Sequence, residues 1–252
     1  MNEINPQLPP PLPPITNPGR LPLGQTPEER EPLPNAVAVA EALLRQPRRL
    51  LYQLQQRASG SLLASMLLIV LACALVYGFV MGTFSMGTQL WAAPVKLAGG
   101  LLFSALICLP SLYIFTCLSG SQARLREVCG LVAGLLMLMT ILLVGFAPVA
   151  WLFSQSTESV TWMGVLHLLF WLIATGFGLR FLVAGFSHSQ AKSSAGLATW
   201  VIIFVLVALQ MSTALRPLVG KADTFWPKEK KFFLSHWGEC LEAAARRPPA
   251  DK

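Results

Sequence analysis

Ionisable side chains within long apolar runs are the residues of this sequence best suited to chemistry. His167 lies about two helical turns inside one such run, where an imidazole could titrate or bind a partner. A single histidine in such a run more commonly makes a hydrogen bond between helices, so the sequence leaves both roles open. No Asp or Glu lies inside the five longest apolar runs, which argues against a carboxylate relay for protons or cations.

Two basic residues, Lys96 and Arg180, lie near the ends of apolar runs. Long basic side chains at such positions can reach lipid head groups while their methylene stems stay in the hydrocarbon. We therefore expect both residues to anchor helix ends, although the same positions are also candidates for a functional role.

Proline and glycine mark three further candidate positions. Pro110 interrupts the second apolar run, where Ser111 and Thr116 are the only polar residues near it. A proline inside a helix frees a carbonyl group and usually bends the helix, and substrate sites built on broken helices normally bring paired half-spans and more polar side chains. A packing kink is therefore favoured. Gly78 and Gly82 have the four-residue spacing that lets helices approach closely, which predicts packing within one subunit first and a dimer face second.

The patterns typical of catalysis and cofactor binding do not occur in the sequence. No Gly-x-Ser-x-Gly elbow is found, and neither the phosphate-binding nor the dinucleotide-binding glycine pattern occurs. The five cysteines show no C-x-x-C spacing; they are Cys73, Cys108, Cys117, Cys129 and Cys240. We therefore predict that the protein is not an enzyme and has no catalytic residue, cofactor or metal site.

Composition identifies the solvent that must surround most of the chain. Of the 252 residues, 54% are hydrophobic and only 12% are charged, whereas soluble domains contain about a quarter charged residues. The formal net charge is +7, but the basic residues flank apolar runs instead of forming a basic face interleaved with aromatics. The sequence thus predicts an integral membrane protein whose partners include membrane lipids but not nucleic acid.

Five apolar runs have about the 20 residues that a helix needs to cross a hydrocarbon core of about 30 Å. They are continuously apolar, whereas the strands of a membrane barrel would alternate. The predicted fold is all-α, a polytopic transmembrane helix bundle with five spans near residues 58–81, 95–118, 128–153, 160–186 and 195–215.

Three segments flank this bundle. Residues 1–35 are crowded with proline, which predicts a disordered, solvated tail. Residues 36–57 form a basic amphipathic juxtamembrane segment, which Pro47 divides into two short helices. Residues 216–252 form a C-terminal tail in which an amphipathic helix follows Pro227, either lying on the membrane surface or capping the bundle.

Charge and tryptophan positions predict the orientation, because short cytoplasmic loops collect Lys and Arg. Arginines precede the first run and follow the second, whereas three tryptophans fall at the opposite ends of the runs; the residues are Arg45, Arg48, Arg49, Arg57, Arg124 and Arg126, and Trp91, Trp151 and Trp162. The N-terminus is therefore predicted to be cytoplasmic. Five spans then place Cys240 outside, although the basic residues of that tail leave a re-entrant run and a cytoplasmic tail as the alternative.

Several short motifs carry a resemblance to known proteins. They are YGFVMG at 77–82, Lys96 at the start of the next run, LPSLY at 109–113, and QMSTALRPLVG at 210–220 with Phe232-Phe233. The chain resembles a group of uncharacterised bacterial multi-pass membrane proteins and, more loosely, the five-span Yip1-type family. The resemblance implies a membrane-trafficking or scaffold role without established enzymatic chemistry, and it transfers no catalytic residue.

The sequence thus favours a non-enzymatic scaffold or accessory subunit of a complex in the bacterial inner (plasma) membrane. We expect a protein partner or a homo-oligomer. A transporter or channel subunit is the alternative, because Pro110, His167 and the polar loop between Gly82 and Pro94 could belong to a solute pathway.

Overall fold

A computed structural model describes residues 22–57, 60–85, 87, 89–121, 123–157, 159–188 and 195–214. Within these residues the chain forms eight helices and no strand. The helices are α1 (Pro27–Arg30), α2 (Ala36–Arg45), α3 (Pro47–Arg57), α4 (Gly60–Ser85), α5 (Gln89–Leu118), α6 (Leu125–Ser156), α7 (Val160–Ser187) and α8 (Ala195–Ala214). The all-α prediction is confirmed. The predicted tail at 1–21 and the predicted helix within 216–252 lie outside the described residues.

Four of these helices, α4 to α7, are long and apolar enough to cross a membrane. They contain 26, 30, 32 and 28 residues. At about 1.5 Å per residue they are about 39 to 48 Å long, which exceeds a hydrocarbon core of about 30 Å. The bundle therefore matches the predicted class of integral membrane protein.

The long helices pack around α6. Helix α4 packs against α5 and α6, α7 packs against α6, and α8 packs against α5. Glycines bring α6 and α7 close together, because a Cβ on Gly134 would collide with the Phe181 ring and one on Gly178 would lie 2.9 Å from the Leu135 carbonyl oxygen. The most central helix is accordingly also the most buried of the four.

Helix α8 is an apolar helix of 20 residues fastened to α5. The indole Nε1 of Trp200 donates a 2.8 Å hydrogen bond to the carbonyl oxygen of Cys108. The Trp200 ring also stacks on Phe204, with ring centroids 5.1 Å apart, and both side chains are fully buried.

Helices α1 to α3 and residues 22–35 form a small polar-faced layer, here called the cap, at one end of the bundle. Pro47 begins α3 and Gln46 separates it from α2, as the sequence predicted. The apolar sides of α2 and α3 belong to the main hydrophobic core together with residues of α6 and α7; they include Val39, Leu43, Leu50, Leu51 and Leu54 on the cap, and Leu131, Phe181, Leu182 and Phe186 on the long helices. The amphipathic face is therefore covered by protein instead of lying on a membrane surface.

The cap also orders part of the segment predicted to be disordered. The Arg48 Nε donates a 2.7 Å hydrogen bond to Glu29 Oε1, and Arg49 forms a 3.2 Å ion pair with Glu31. Gln53 donates to the Glu31 carbonyl oxygen at 3.1 Å. Residues 22–34 thus lie on α3, which differs from the solvated tail expected through Asn35. Glu29 and Glu31 form ion pairs with Arg48 and Arg49 of α3, which the proline content of residues 22–34 does not predict.

The bundle has two chemically different ends. The cap end contains the cap, the start of α6 and the end of α7, whereas the far end contains the turns that join α4 to α5 and α6 to α7. The three tryptophans at the far end are exposed, Trp91 at 76%, Trp151 at 51% and Trp162 at 70%.

Candidate functional site

A buried hydrogen bond joins two of the long helices. The hydroxyl of Tyr77 on α4 lies 2.7 Å from Nδ1 of His167 on α7. Their rings meet edge to face, with centroids 5.6 Å apart and planes at 85°. Tyr77 is 2% exposed and His167 is 6% exposed, so the pair is withdrawn from solvent and lipid.

Helix positions place this pair at a common depth with a buried lysine. Tyr77 lies about two turns before the end of α4, His167 about two turns after the start of α7, and Lys96 about two turns after the start of α5. These are the helix termini at the far end, so each side chain lies about 10 Å inside that end.

The surroundings of Tyr77 and His167 are apolar. The second hydrophobic cluster contains Tyr77 together with Met139, Leu143, Met163 and Phe170, from α6 and α7. Phe170 stacks on Phe146, with centroids 4.7 Å apart. The described parts of the spans bring no Asp or Glu to this level, so no carboxylate faces the pair there.

Proton positions follow from the donors and acceptors that the pair provides. A phenol hydrogen and an imidazole nitrogen lone pair make the best match, so Tyr77 donates to Nδ1 and the remaining ring proton is assigned to Nε2. Among the described residues, no acceptor lies within hydrogen-bonding reach of Nε2, which is itself buried. A buried donor without an acceptor costs about 1–3 kcal/mol.

Lys96 differs from the expectation of a head-group anchor. Its side chain is only 3% exposed, and its ammonium nitrogen is buried within the protein. It lies on α5, which packs chiefly on α4 and α8, not on α7. Lys96 therefore shares the depth of His167 without belonging to the same helix pair.

Gly78 explains why α4 and α5 cross at this level. A Cβ at Gly78 would collide with the backbone of Pro94 on α5. Packing within one chain, the first of the two roles predicted for Gly78, is thus what the structure shows. Gly82 is buried one turn further along the same helix.

Pro110 and Arg180 lie apart from the buried pair. Pro110 lies on the exposed side of α5, and the helix continues through it. Arg180 is exposed on α7, about two turns from the cap end of that helix. This position fits the predicted anchoring role of Arg180, since its side chain can extend toward a membrane surface.

Tyr77 is the site residue that sequence reasoning missed. The signal was a hydroxyl within an apolar run, but the sequence does not show which of the other helices supplies its partner. Other buried hydroxyls are satisfied nearby: Thr140 donates to the Leu136 carbonyl oxygen at 2.9 Å, and Thr175 contacts the Met139 sulfur at 3.6 Å.

A second polar cluster lies in the cap. Burial of Glu29 raises its pKa, but hydrogen bonds from Arg48 and the Gly24 backbone N–H, with the charge of Arg48, bring that pKa below its ordinary value of 4.5. Burial lowers the pKa of His188, just beyond α7, below 6.5; Arg48 lowers it further and Glu29 partly offsets this. The cluster thus connects the N-terminal segment electrostatically to the end of α7.

Neither cluster has the composition of a metal centre. Within the described ranges, no three His, Cys, Asp or Glu side chains come together. What the Tyr77–His167 pair can do is donate and accept hydrogen bonds and hold a proton on either ring nitrogen. Comparisons with protein-family models, curated proteins and solved structures find no match to this chain. The resemblance to Yip1-type proteins therefore stays a prediction from the residues.

Proposed function

We propose that this protein is a non-enzymatic scaffold or accessory subunit of a complex in the bacterial inner membrane. In this proposal it has five spans, its N-terminus is cytoplasmic, and it acts by holding a protein partner at the membrane. The proline-rich residues 1–21 are the segment that the cap would present to such a partner.

The observation that carries the proposal is the continuity of the cap with the spans. Leu50, Leu51 and Leu54 of α3 share one buried core with Leu131 of α6 and Phe181 of α7. A Cβ on Gly130 of α6 would collide with Leu54, so α3 rests against the backbone of α6. An N-terminal segment attached this way moves with the bundle, which suits a tether.

Charge and aromatic positions support the proposed orientation. Arg45 has a side chain 79% exposed at the cap end, where Arg124 and Arg126 are also exposed. Exposed tryptophans mark the far end. Basic residues on one side and aromatic residues at the membrane interface favour a cytoplasmic cap.

The fifth span is supported by the attachment of α8. Its 20 residues give about 30 Å of helix, enough to cross the hydrocarbon core. The hydrogen bond from Trp200 to Cys108 fixes α8 beside α5, a helix that is long enough to span.

A pull-down from detergent-solubilised membranes tests the scaffold role. We expect the intact chain to recover a partner protein in stoichiometric amount. Arg48→Ala, which removes the Glu29 contact, should reduce that recovery at least several-fold. Arg45→Ala is the matched control, because the ion pair of Arg45 within the described residues is with Glu41 on its own exposed helix face. Recovery of the protein alone, together with solute flux in liposomes, would overturn the proposal.

The alternative function is a transporter or channel subunit. It is favoured by the buried Nε2 of His167 and by Lys96 at the same depth, since ionisable groups inside a membrane bundle often mark solute pathways. Liposomes containing the purified protein should then take up ions or small solutes, and His167→Phe should abolish the uptake. Liposomes that stay tight would remove this alternative.

A further inference from the structure

The unmatched N–H of His167 is the feature of the bundle that neither packing nor the scaffold role explains. His167 is more than nine-tenths buried, and Tyr77 occupies its Nδ1. Nε2 lies on another edge of the ring and has no hydrogen-bond partner among the described residues. Buried polar groups in native proteins nearly always have such a partner.

The surroundings of His167 restrict the kind of atom that could accept a hydrogen bond from Nε2–H. In the tautomer assigned above, Tyr77 donates to Nδ1 across 2.7 Å, so Nε2 carries the proton and requires an acceptor. The pair lies among methionine, leucine and phenylalanine side chains. Lys96 is on α5, and α5 makes far less contact with α7 than α6 does. An oxygen atom of a neutral molecule satisfies an imidazole N–H in such a setting without burying another charge.

We propose that His167 and Tyr77 form a binding site for a neutral molecule that presents an oxygen lone pair to Nε2–H. Two sources supply this chemistry: a water molecule entering from the far end, or the carbonyl oxygen of a lipid-soluble molecule entering from the bilayer. The site lies about 10 Å inside the far end of the bundle.

The test uses the full chain labelled with ¹⁵N-histidine and reconstituted in bilayers of synthetic lipid, with solid-state NMR of the ring nitrogens. The His167 signals are identified by their loss in His167→Gln. We expect Nδ1 to be an unprotonated acceptor and Nε2 to be protonated, with an N–H shift typical of a hydrogen bond. Tyr77→Phe should remove the Nδ1 hydrogen bond and produce a mixture of tautomers.

The correlations of Nε2–H distinguish the two sources. A cross-peak to water protons that persists after exhaustive delipidation supports a bound water. A cross-peak to a carbonyl carbon that disappears on delipidation, with release of an organic molecule detected by mass spectrometry, supports a lipid-soluble ligand. An unprotonated Nε2, an N–H shift without a hydrogen bond, or a cross-peak to a carbon of the protein itself would each overturn the site.

Amide and apolar replacements of His167 provide a second readout. His167→Gln keeps an N–H donor and should retain the water or the organic molecule, whereas His167→Phe should lose it. Equal retention by the two variants would contradict the proposal. Partner recovery in the pull-down does not depend on this occupant, so failure of the binding site and failure of the scaffold role are distinguishable.

Discussion

At the scale of single residues, the sequence identified His167 because histidine is rare in an apolar run. It could not identify Tyr77, since the two residues lie 90 positions apart along the chain and helix periodicity carries no information on which helices meet. Lys96 shows the same limit. Its place near a helix end predicted a head-group anchor, but the folded bundle leaves only 3% of it exposed.

Coupling between Tyr77 and His167 can be measured with a double-mutant cycle. Tyr77→Phe and His167→Phe should each lower the free energy of unfolding, and their effects should fall short of additivity by about 1 kcal/mol, the usual net contribution of a hydrogen bond. Unfolding in mixed micelles, followed by tryptophan fluorescence, supplies the four values. Strictly additive losses would show that the hydrogen bond contributes nothing.

Gly78 allows a second prediction about a single residue. Gly78→Ala should destabilise the bundle by about 1–3 kcal/mol, because the added methyl group collides with the backbone of Pro94, which cannot rotate away. Gly145→Ala is the matched control, since a Cβ there meets nothing within 4 Å, and it should leave stability unchanged or raise it by up to about 1 kcal/mol, the usual gain from Gly to Ala inside a helix. Equal thermal stability of the two variants would contradict the close crossing.

At the scale of elements, the positions of the helices along the chain were easier to predict than the helices against which each one packs. Pro47 predicted the break between α2 and α3, and long apolar runs predicted α4 to α7 because a continuous apolar stretch of about 20 residues matches the thickness of the hydrocarbon core. The cap was harder. Its order depends on Arg48 reaching Glu29 across 19 positions, while the local proline content suggests disorder.

Acid should loosen the cap. The folded pKa of His188 is depressed, so its contribution to stability is present above about 6.5 and is lost as the pH falls through the lower folded value. The folded pKa of Glu29 is also depressed, so a second loss begins as the pH falls below 4.5. The hydrogen-exchange protection factors of residues 22–57, which are corrected for the pH dependence of the chemical exchange rate, should therefore fall stepwise between pH 7 and pH 4.

Two substitutions distinguish the effect of His188 titration from that of Glu29 titration. His188→Gln should remove the change near pH 6.5, and Glu29→Gln should remove the change below pH 4.5 while weakening the cap at neutral pH. Protection factors that do not change with pH in the unmodified chain would contradict the electrostatic link between the cap and α7.

At the scale of the whole molecule, membrane class and helix content follow from composition, because lipid is the solvent that tolerates so few charges. The arrangement around α6 does not follow, since apolar helices expose similar surfaces and the choice of neighbour depends on glycine contacts such as Gly178 against Leu135. The number of spans is less determined: four helices, α4 to α7, are long and apolar enough to cross a membrane, and a fifth crossing by α8 stays a proposal.

Topology gives the last prediction: the proposed five spans with a cytoplasmic cap would place Cys240 on the outer side of the membrane. Whole cells expressing a variant that retains only Cys240 should react with a membrane-impermeant maleimide before lysis. Two lone-cysteine variants calibrate the sides: Gln155→Cys, exposed at the far end, should also react before lysis, whereas Arg45→Cys, exposed on the cap, should react only afterwards. If Cys240 behaves like Arg45→Cys, the chain crosses the membrane an even number of times, and the basic residues between Lys221 and Lys231 obey the positive-inside rule.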